Sequence, residues 1–218
     1  MKKLLTLIAF MAFLQAAISQ EQEKGDKKSR EILDNLTAQT ESYNSIKVEF
    51  AYKMYNEEAG IDESTMGTLL IMGNKYKLLI SGQQVISDGE TIWTYIEDDE
   101  EVQINEMDEE AEGSLSPNKL LTSYNKDYKS NFVKETFQYG TAAVIIDLTP
   151  AEGKTYSKVR LIIDKAKNQI LEIAIFDKNG STYTNIINSF IPDSEQIKAS
   201  DFTFIEADYP AVEVIDMR

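Results

Sequence analysis

The sequence contains no cysteine and no histidine, and it has only one tryptophan and four prolines in 218 residues. Without cysteine, disulfides and thiol chemistry are excluded. The commonest general base and the best thiol nucleophile are therefore both missing. Carboxylates are so abundant that a pair suited to glycoside hydrolysis could be found almost anywhere, which makes finding one uninformative. We therefore expect no enzymatic activity, no cofactor and no metal site.

Positive charge is also scarce. The chain has 22 Lys and Arg against 37 Asp and Glu, a net charge of −15. A surface of this sign repels nucleic acid and anionic lipid headgroups, so no nucleic-acid partner is expected. The densest acidic stretch, residues 97–112, holds ten acids and no base. It is typical of a solvated hairpin tip and loop, or of a docking surface for a basic partner. Its spacing does not match a calcium loop.

The N-terminus has the organisation of a secretory signal peptide. Two lysines precede an apolar run over residues 4–17, which is short for a membrane span. Small residues near its end predict cleavage after Ser19, which would leave residues 20–218 as a single domain after a signal peptide at residues 1–19. A lipoprotein needs a cysteine at the cleavage point. The sequence therefore predicts a periplasmic protein without a lipid anchor.

Strand patterns dominate the chain after one amphipathic helix, which is predicted over residues 26–43. Residues 46–55 alternate apolar and polar side chains with the period of a strand covered on one face. Residues 64–82 form two strands around a hairpin turn at Gly73-Asn74. Further strands are predicted between turn residues, at 83–86, 91–96, 101–105, 131–139, 142–149, 156–164, 169–177, 181–190 and, as one or two short strands, within 201–218.

A second, shorter helix is predicted within residues 116–126. Ser116 is its N-cap, and a proline follows in the first turn. Its apolar residues Leu120, Leu121 and Tyr124 lie on one side. Ten or eleven antiparallel strands must curl, close into a barrel or split into two layers. We expect the two helices to cover a concave face.

An ordered series of motifs resembles a known family. In "GTLLIMGNKYKLLI…SDGETIWTYIEDDEEVQI" a glycine-led strand and a "KY" strand precede "SDG-x-x-x-W-x-Y" and a polar hairpin. The N-terminal helix, the strand "YNSIKVEF" (43–50), the segment "SPNKLL" (116–121) and a closing "FTF…VEVID-x-R" (202–218) take their places in the same order. The series resembles the periplasmic outer-membrane lipoprotein carriers, the LolA family.

The resemblance implies a mainly β fold, a strongly curved antiparallel half-barrel of about 11 strands with helices covering its concave face. It implies a periplasmic carrier that binds lipoprotein acyl chains in an apolar cavity and shuttles them from the inner to the outer membrane. The implied partners are acylated lipoproteins, an inner-membrane lipoprotein-releasing complex and an outer-membrane acceptor. The acceptor is itself a lipoprotein, so a chain without cysteine matches the soluble carrier. We expect a monomer.

On this resemblance, candidate cavity residues lie on the strands and on the predicted second helix. Trp93 and Tyr95 are two apart on one strand, so they should share a face and line or brace the cavity. Ordinary barrel packing explains Trp93 equally well. The lipid-binding candidates are Val48, Phe50, Tyr52, Leu70, Met72, Leu78, Ile80, Trp93, Tyr95, Leu120, Leu121 and Tyr124.

The chain departs from the family at one position. Family members place an arginine before the "KY"-equivalent strand, where it bonds the lid, whereas residues 71–75 contain none. Lys75 offers a point charge there and cannot copy the guanidinium fork. Two other functions stay open at this point. One is a periplasmic lipid-binding sensor or adaptor, or a carrier of another lipid, on the same fold. The other is a hydrolase.

Overall fold

The computed structural model describes residues 25–107, 128–150, 154–209 and 212–218. Helix α1 spans residues 25–41, close to the predicted 26–43, and no helix in the described ranges is long and apolar enough to cross a membrane. Two short 3-10 helices, Ala199–Phe202 and Glu206–Asp208, precede the last strand. The strands are β1 (Ile46–Asn56), β2 (Ile61–Met72), β3 (Lys75–Ile80), β4 (Gln83–Ser87), β5 (Thr91–Ile96), β6 (Glu101–Glu106), β7 (Tyr128–Gln138), β8 (Thr141–Pro150), β9 (Tyr156–Asp164), β10 (Gln169–Asp177), β11 (Thr182–Pro192) and β12 (Glu213–Asp216).

These strands form one sheet in the order β12-β6-β5-β4-β3-β2-β1-β11-β10-β9-β8-β7. Two meanders, β1–β6 and β7–β11, are joined where β1 pairs with β11. The mainly β class is confirmed. The expected strand number of about 11 is one short of the 12 observed, and the sheet is not wholly antiparallel because β12 runs parallel to β6. The predicted signal peptide and the predicted second helix lie outside the described residues.

Helix α1 packs on one face of the sheet, which we call the inner face. Leu33 and Leu36 of α1 are fully buried. They share a core with Val144 of β8, Leu161 of β9 and Ile170 of β10. Burying a leucine contributes on the order of 1.5–3 kcal/mol, so these two side chains are a substantial part of what holds the helix in place.

Polar contacts fix the first half of α1 to β7. Ser29 Oγ and Ser130 Oγ form a buried hydrogen bond of 2.8 Å. Lys28 Nζ donates to Glu135 at 2.8 Å and lies 4.0 Å from the centroid of the Phe132 ring. The hydrogen bonds and charges of Lys165 and Lys28 lower the pKa of Glu135 to about 2. Glu135 is therefore ionised at neutral pH, where it can pair with both lysines.

The C-terminal segment crosses the opposite, outer face. The first 3-10 helix packs against β3, and its Phe202 is fully buried. Tyr209 accepts a hydrogen bond of 2.8 Å from Gln84 of β4, and its ring centroid lies 4.7 Å from that of Tyr95 on β5. Phe204 stacks on the other side of Tyr209 at 4.9 Å. The segment thus covers the outer face near β3–β5 before the chain reaches β12.

The turn between β9 and β10 depends on Asp164, which is 3% exposed. Its Oδ1 accepts hydrogen bonds from the backbone N–H groups of Ala166 at 2.7 Å and Lys167 at 2.9 Å. Burial alone would raise the pKa of this carboxyl. The hydrogen bonds from the two amides and from Thr141 outweigh it, so the pKa lies below its ordinary value. The stabilisation is therefore present above the unfolded-state pKa, about 4, and is lost as the pH falls.

We expect Asp164→Ala to lower the free energy of unfolding at neutral pH by about 1–3 kcal/mol, because two backbone donors lose their acceptor. Asp164→Asn is the matched control, since its Oδ1 can accept both bonds. Urea denaturation measures both variants, and the advantage of wild type over Asp164→Asn should shrink by about pH 3. An Asp164→Ala midpoint equal to that of wild type at neutral pH would contradict this account of the turn.

Candidate functional site

The pairing of the strands shows which side chains of β1–β5 belong to the inner face. Val48 on β1 pairs with Leu69 on β2, which pairs with Leu78 on β3, which pairs with Val85 on β4. Directly opposed residues of an antiparallel pair point to the same side of the sheet, so all four face α1's side. The apolar inner-facing side chains of β1–β5 are Ile46, Val48, Phe50, Tyr52, Leu69, Ile71, Tyr76, Leu78, Ile80, Val85, Ile92 and Ile96.

The inner face is covered unequally along its length. Beneath α1, Ile146 and Leu161 are 0% exposed. On β2–β4, several side chains of the same face are only partly buried although they pack against the same core. These partly buried residues are Leu69, Leu78, Ile80 and Val85. The β1–β5 half of the inner face therefore presents apolar surface that the described part of the chain covers incompletely.

A polar boundary ends this apolar surface at β6. The inner-facing residues of β6 are Glu101, Gln103 and Asn105, as their pairing with β5 shows. Gln103 Nε2 donates to Glu101 Oε1 at 2.7 Å, so the amide and the carboxylate satisfy each other. An apolar ligand on this face is thus limited by α1 on one side and by β6 on the other.

Phe50 forms part of the floor of the surface because Gly67 gives its ring room. A Cβ atom on Gly67 would lie 2.8 Å from Phe50 Cε2, closer than side-chain atoms normally approach. The ring therefore lies across β2 and is only 6% exposed. A glycine within a strand commonly marks such a close approach.

Two tyrosines on the inner face report a poorly hydrated environment. Burial raises the pKa of Tyr76 above its ordinary value. Burial also raises the pKa of Tyr52, with smaller contributions from Tyr183 and Glu63. Neutral phenols beside aliphatic side chains favour an uncharged ligand. Among the described residues, no group of three acidic side chains is placed to hold a metal ion.

The structure places five of the predicted cavity residues on the inner face: Val48, Phe50, Tyr52, Leu78 and Ile80. It places four others on the outer face: Leu70, Met72, Trp93 and Tyr95. The expectation that all nine line one cavity is corrected, because these four lie on the opposite face, although Trp93 and Tyr95 do share a face. Leu120, Leu121 and Tyr124, on the predicted second helix, lie outside the described residues.

The physical reason for the misplacement is the turn at Gly73-Asn74. A two-residue turn pairs Met72 with Lys75 and hence Leu70 with Lys77. Leu70 therefore cannot share a face with Leu78. The same rule brings in inner-facing residues that the sequence analysis did not name: Leu69, Ile71, Tyr76, Val85 and Ile92. The turn itself was visible in the sequence, and applying its pairing to the neighbouring strands would have found them.

Tyr95 instead lines a cleft of about 600 Å³ on the outer face, together with Tyr209, Glu97, Met66 and Leu79. The stacking of Tyr95 on Tyr209 gives it a structural role in holding the C-terminal segment. Trp93 pairs with Ile86 of β4, which is 2% exposed. Packing on the outer face accounts for both aromatic residues.

Comparisons with known proteins agree with this architecture. Residues 41–205 match the family model described as "Outer membrane lipoprotein carrier protein LolA". This range extends from the end of α1 through all of β1–β11 and the first 3-10 helix, which is well over half of the chain. No curated protein matches the sequence.

Solved structures are similar to this chain at low sequence identity. An uncharacterized conserved protein from Thermus thermophilus is 12% identical with a TM-score of 0.59, and the match covers 87% of this chain and 99% of that one. A LolA superfamily protein from Nitrosomonas europaea is 13% identical with a TM-score of 0.44, covering 81% and 97%. The lipoprotein LppX from Mycobacterium tuberculosis is 13% identical with a TM-score of 0.45, covering 78% and 98%. On the extent of the family match, the chain belongs to the LolA family of outer membrane lipoprotein carrier proteins.

Proposed function

We propose that the inner face of β1–β5 binds the acyl chains of lipoproteins and that the protein carries them through the periplasm from the inner to the outer membrane. The observation that carries the proposal is the continuous apolar surface from Val48 to Val85, bounded by α1 and by polar β6 and only partly covered by the described residues. Membership of the carrier family supports it, as does the signal peptide expected at residues 1–19.

The energetics of acyl chains fit an incompletely covered site. Burying about 15 methylenes contributes on the order of 12 kcal/mol at ~0.8 kcal/mol for each. Two or three chains enclosed completely would approach the practical ceiling of non-covalent affinity and would not be released. A carrier must therefore leave part of its cargo in contact with water, so that an acceptor of greater affinity can remove it. Partly exposed Leu69, Leu78 and Val85 meet this requirement.

The partners follow from this role. Cargo would come from an inner-membrane lipoprotein-releasing complex and pass to an outer-membrane acceptor, with the carrier acting as a monomer. No covalent step is involved, because the inner face of β1–β5 offers dispersion contacts and neutral phenols rather than a nucleophile with a base. The family's lid arginine is absent here, and Lys75 pairs with Met72 on the outer face. Any closure over the cargo must therefore use other residues.

A second function uses the same surface. A sensor or adaptor would bind a lipid or a lipoprotein in order to signal, and a carrier of a different lipid would move that lipid instead. Both bind an apolar chain on the inner face, so the identity of the bound molecule distinguishes them from a lipoprotein carrier.

Two adjacent leucines on β3 provide a matched test of the binding face. Leu78 points inward and Leu79 points outward, where it is 38% exposed. We expect Leu78→Glu to weaken binding of a synthetic diacylated peptide by more than tenfold, because an ionised carboxylate in an apolar site is costly. Leu79→Glu should bind within about twofold of wild type, since the outer carboxylate stays hydrated. Fluorescence titration with a labelled diacylated peptide measures both affinities.

Leu78→Ser serves if Leu78→Glu does not fold, because it removes apolar area without adding charge. Circular dichroism and thermal denaturation establish that each variant is folded before binding is compared. Equal loss of affinity in the inward and outward variants would show that the acyl chain does not lie on the inner face.

The acidic turn between β5 and β6 is not expected to contribute to binding of the acyl chains. Residues 97–100 are all exposed and lie at the end of the polar boundary strand. Replacing all four with their amides should leave affinity for the diacylated peptide within about twofold, because exposed charges at a distance from an apolar ligand are well screened. The same titration checks this result. A large loss of affinity would mean that the turn belongs to the lipid site.

A further inference from the structure

The inner face changes in character along the lengths of β1, β2 and β11. Toward the β2–β3 turn its paired rows are apolar. One row contains Leu78, Leu69, Val48 and Phe190, and the next contains Ile80, Gly67, Phe50 and Ile187. Acyl tails bound on this face would therefore meet only hydrocarbon and glycine along these two rows of β3, β2, β1 and β11.

Polar side chains begin with the next inner-facing row, toward the β1–β2 turn. Tyr52 of β1 pairs there with Thr65 of β2 and with Asn185 of β11. One row further on, Met54 of β1 lies between a carboxylate on β2 and a phenol on β11, so the face stays amphipathic rather than wholly polar. The polar side chains of these two rows, which we call the polar end, are Tyr52, Glu63, Thr65, Tyr183 and Asn185.

The groups of the polar end interact with one another and are accessible to a ligand. Burial raises the pKa of Tyr52, and the charges of Tyr183 and Glu63 raise it further. Tyr52, Tyr183 and Asn185 are each partly exposed. Within the described ranges, neither tyrosine hydroxyl has a hydrogen-bond partner. Strand β3 pairs with β2 only over residues 67–72, so the part of β2 that contains Glu63 extends past the end of β3.

The charge at this end of the face is negative. Strands β1, β2 and β11 have two bases, Lys47 and Lys53, and both lie on the outer face. Lys178 of the β10–β11 turn donates to the backbone carbonyl of Lys154 at 2.7 Å. The acids of residues 53–63 are Glu57, Glu58, Asp62 and Glu63. A phosphate group is therefore repelled at the polar end, whereas an ammonium group is attracted.

We propose that the polar end binds the linkage at which the acyl tails of the cargo meet its polypeptide, and that it favours a diacylated residue with a free α-amine over a phospholipid. The inference rests on the proposed function and adds the direction in which the cargo lies. The tails would lie along the apolar rows, and the polypeptide would leave the face beside the β1–β2 turn.

The order of chemical groups supports this direction. Ester carbonyl oxygens only accept hydrogen bonds, and the hydroxyls of Tyr52 and Tyr183 and the amide of Asn185 can donate them. The carboxylate of Glu63 lies one row beyond Tyr52, where it can accept a charge-assisted hydrogen bond from the α-ammonium group. Tails, esters and amine follow one another in a diacylated residue as apolar rows, donors and carboxylate do along the face.

The test is fluorescence titration with labelled diacylated peptides that differ only at this linkage. Wild type should bind the diester peptide at least about fivefold more tightly than a diether analogue, which lacks the carbonyl acceptors. Tyr52→Phe and Tyr183→Phe should each weaken binding of the diester about fivefold and leave binding of the diether within about twofold. Acetylation of the α-amine should weaken binding to wild type about threefold, and Glu63→Gln should remove that difference.

Tyr55→Phe is the matched control, because Tyr55 lies on the outer face of the same strand and is 49% exposed. It should bind both peptides like wild type. Leu78→Glu should weaken the diester and the diether alike, since it acts on the tails. Phosphatidylglycerol with the same acyl chains should bind several fold more weakly than the diester peptide, because its phosphate meets no base at the polar end.

The outcomes separate this inference from the proposed function. If wild type binds the diester and the diether equally and both Tyr→Phe variants bind like wild type, the inference is overturned while acyl binding on the inner face stands. Phosphatidylglycerol binding as tightly as the diester peptide would also overturn it. If wild type binds no diacylated peptide, the proposed function and this inference fail together.

Discussion

The burial of Leu33 and Leu36 of α1 against the inner face of β8–β10 is the contact on which the rest of the structure depends. It decides which face of the twelve-stranded sheet becomes the core, and the most completely buried residues of that face lie beneath it. Without disulfides, this packing and the hydrogen bonds of the sheet must hold the fold together. The β1–β5 half of the same face then has apolar side chains that the described part of the chain covers incompletely. The position of α1 on the sheet thus accounts for both the stable core and the surface proposed to bind acyl chains.

Successive side chains of a strand point to opposite faces of the sheet, so neighbouring residues contribute to different surfaces. Leu78 faces the proposed binding surface, whereas Leu79 faces the outer cleft beside Tyr209. The outer face is also covered in part, because the C-terminal segment packs on it through Phe202 and Tyr209. The proposed cargo surface and the packing of the C-terminal segment therefore occupy opposite faces of one sheet.

Much of the fold was accessible from the sequence, because alternation and turn residues located α1 and the strands. β12 was expected only as part of a closing segment. Its parallel pairing with β6 depends on how residues 193–209 cross the sheet, which no local pattern encodes. The residues of the candidate site were harder to predict from the sequence. In "LLIM" and "IWTYI" apolar residues occupy both faces, so alternation does not say which side is inner. The two-residue turn at Gly73-Asn74 contains that information, since it pairs Leu70 with Lys77. A single strand taken alone lacks it, which is why Leu70, Met72, Trp93 and Tyr95 were grouped in one cavity with residues of the opposite face.

The central claim is that the inner face carries the acyl chains of lipoproteins. Native mass spectrometry of the protein purified from its own periplasm tests it most directly, because bound cargo survives in the measured mass. The account predicts an acylated protein or peptide bound in a one-to-one complex. A free lipid in its place would favour the carrier of another lipid. A protein that is empty and also fails to bind an added diacylglyceryl peptide would contradict the account.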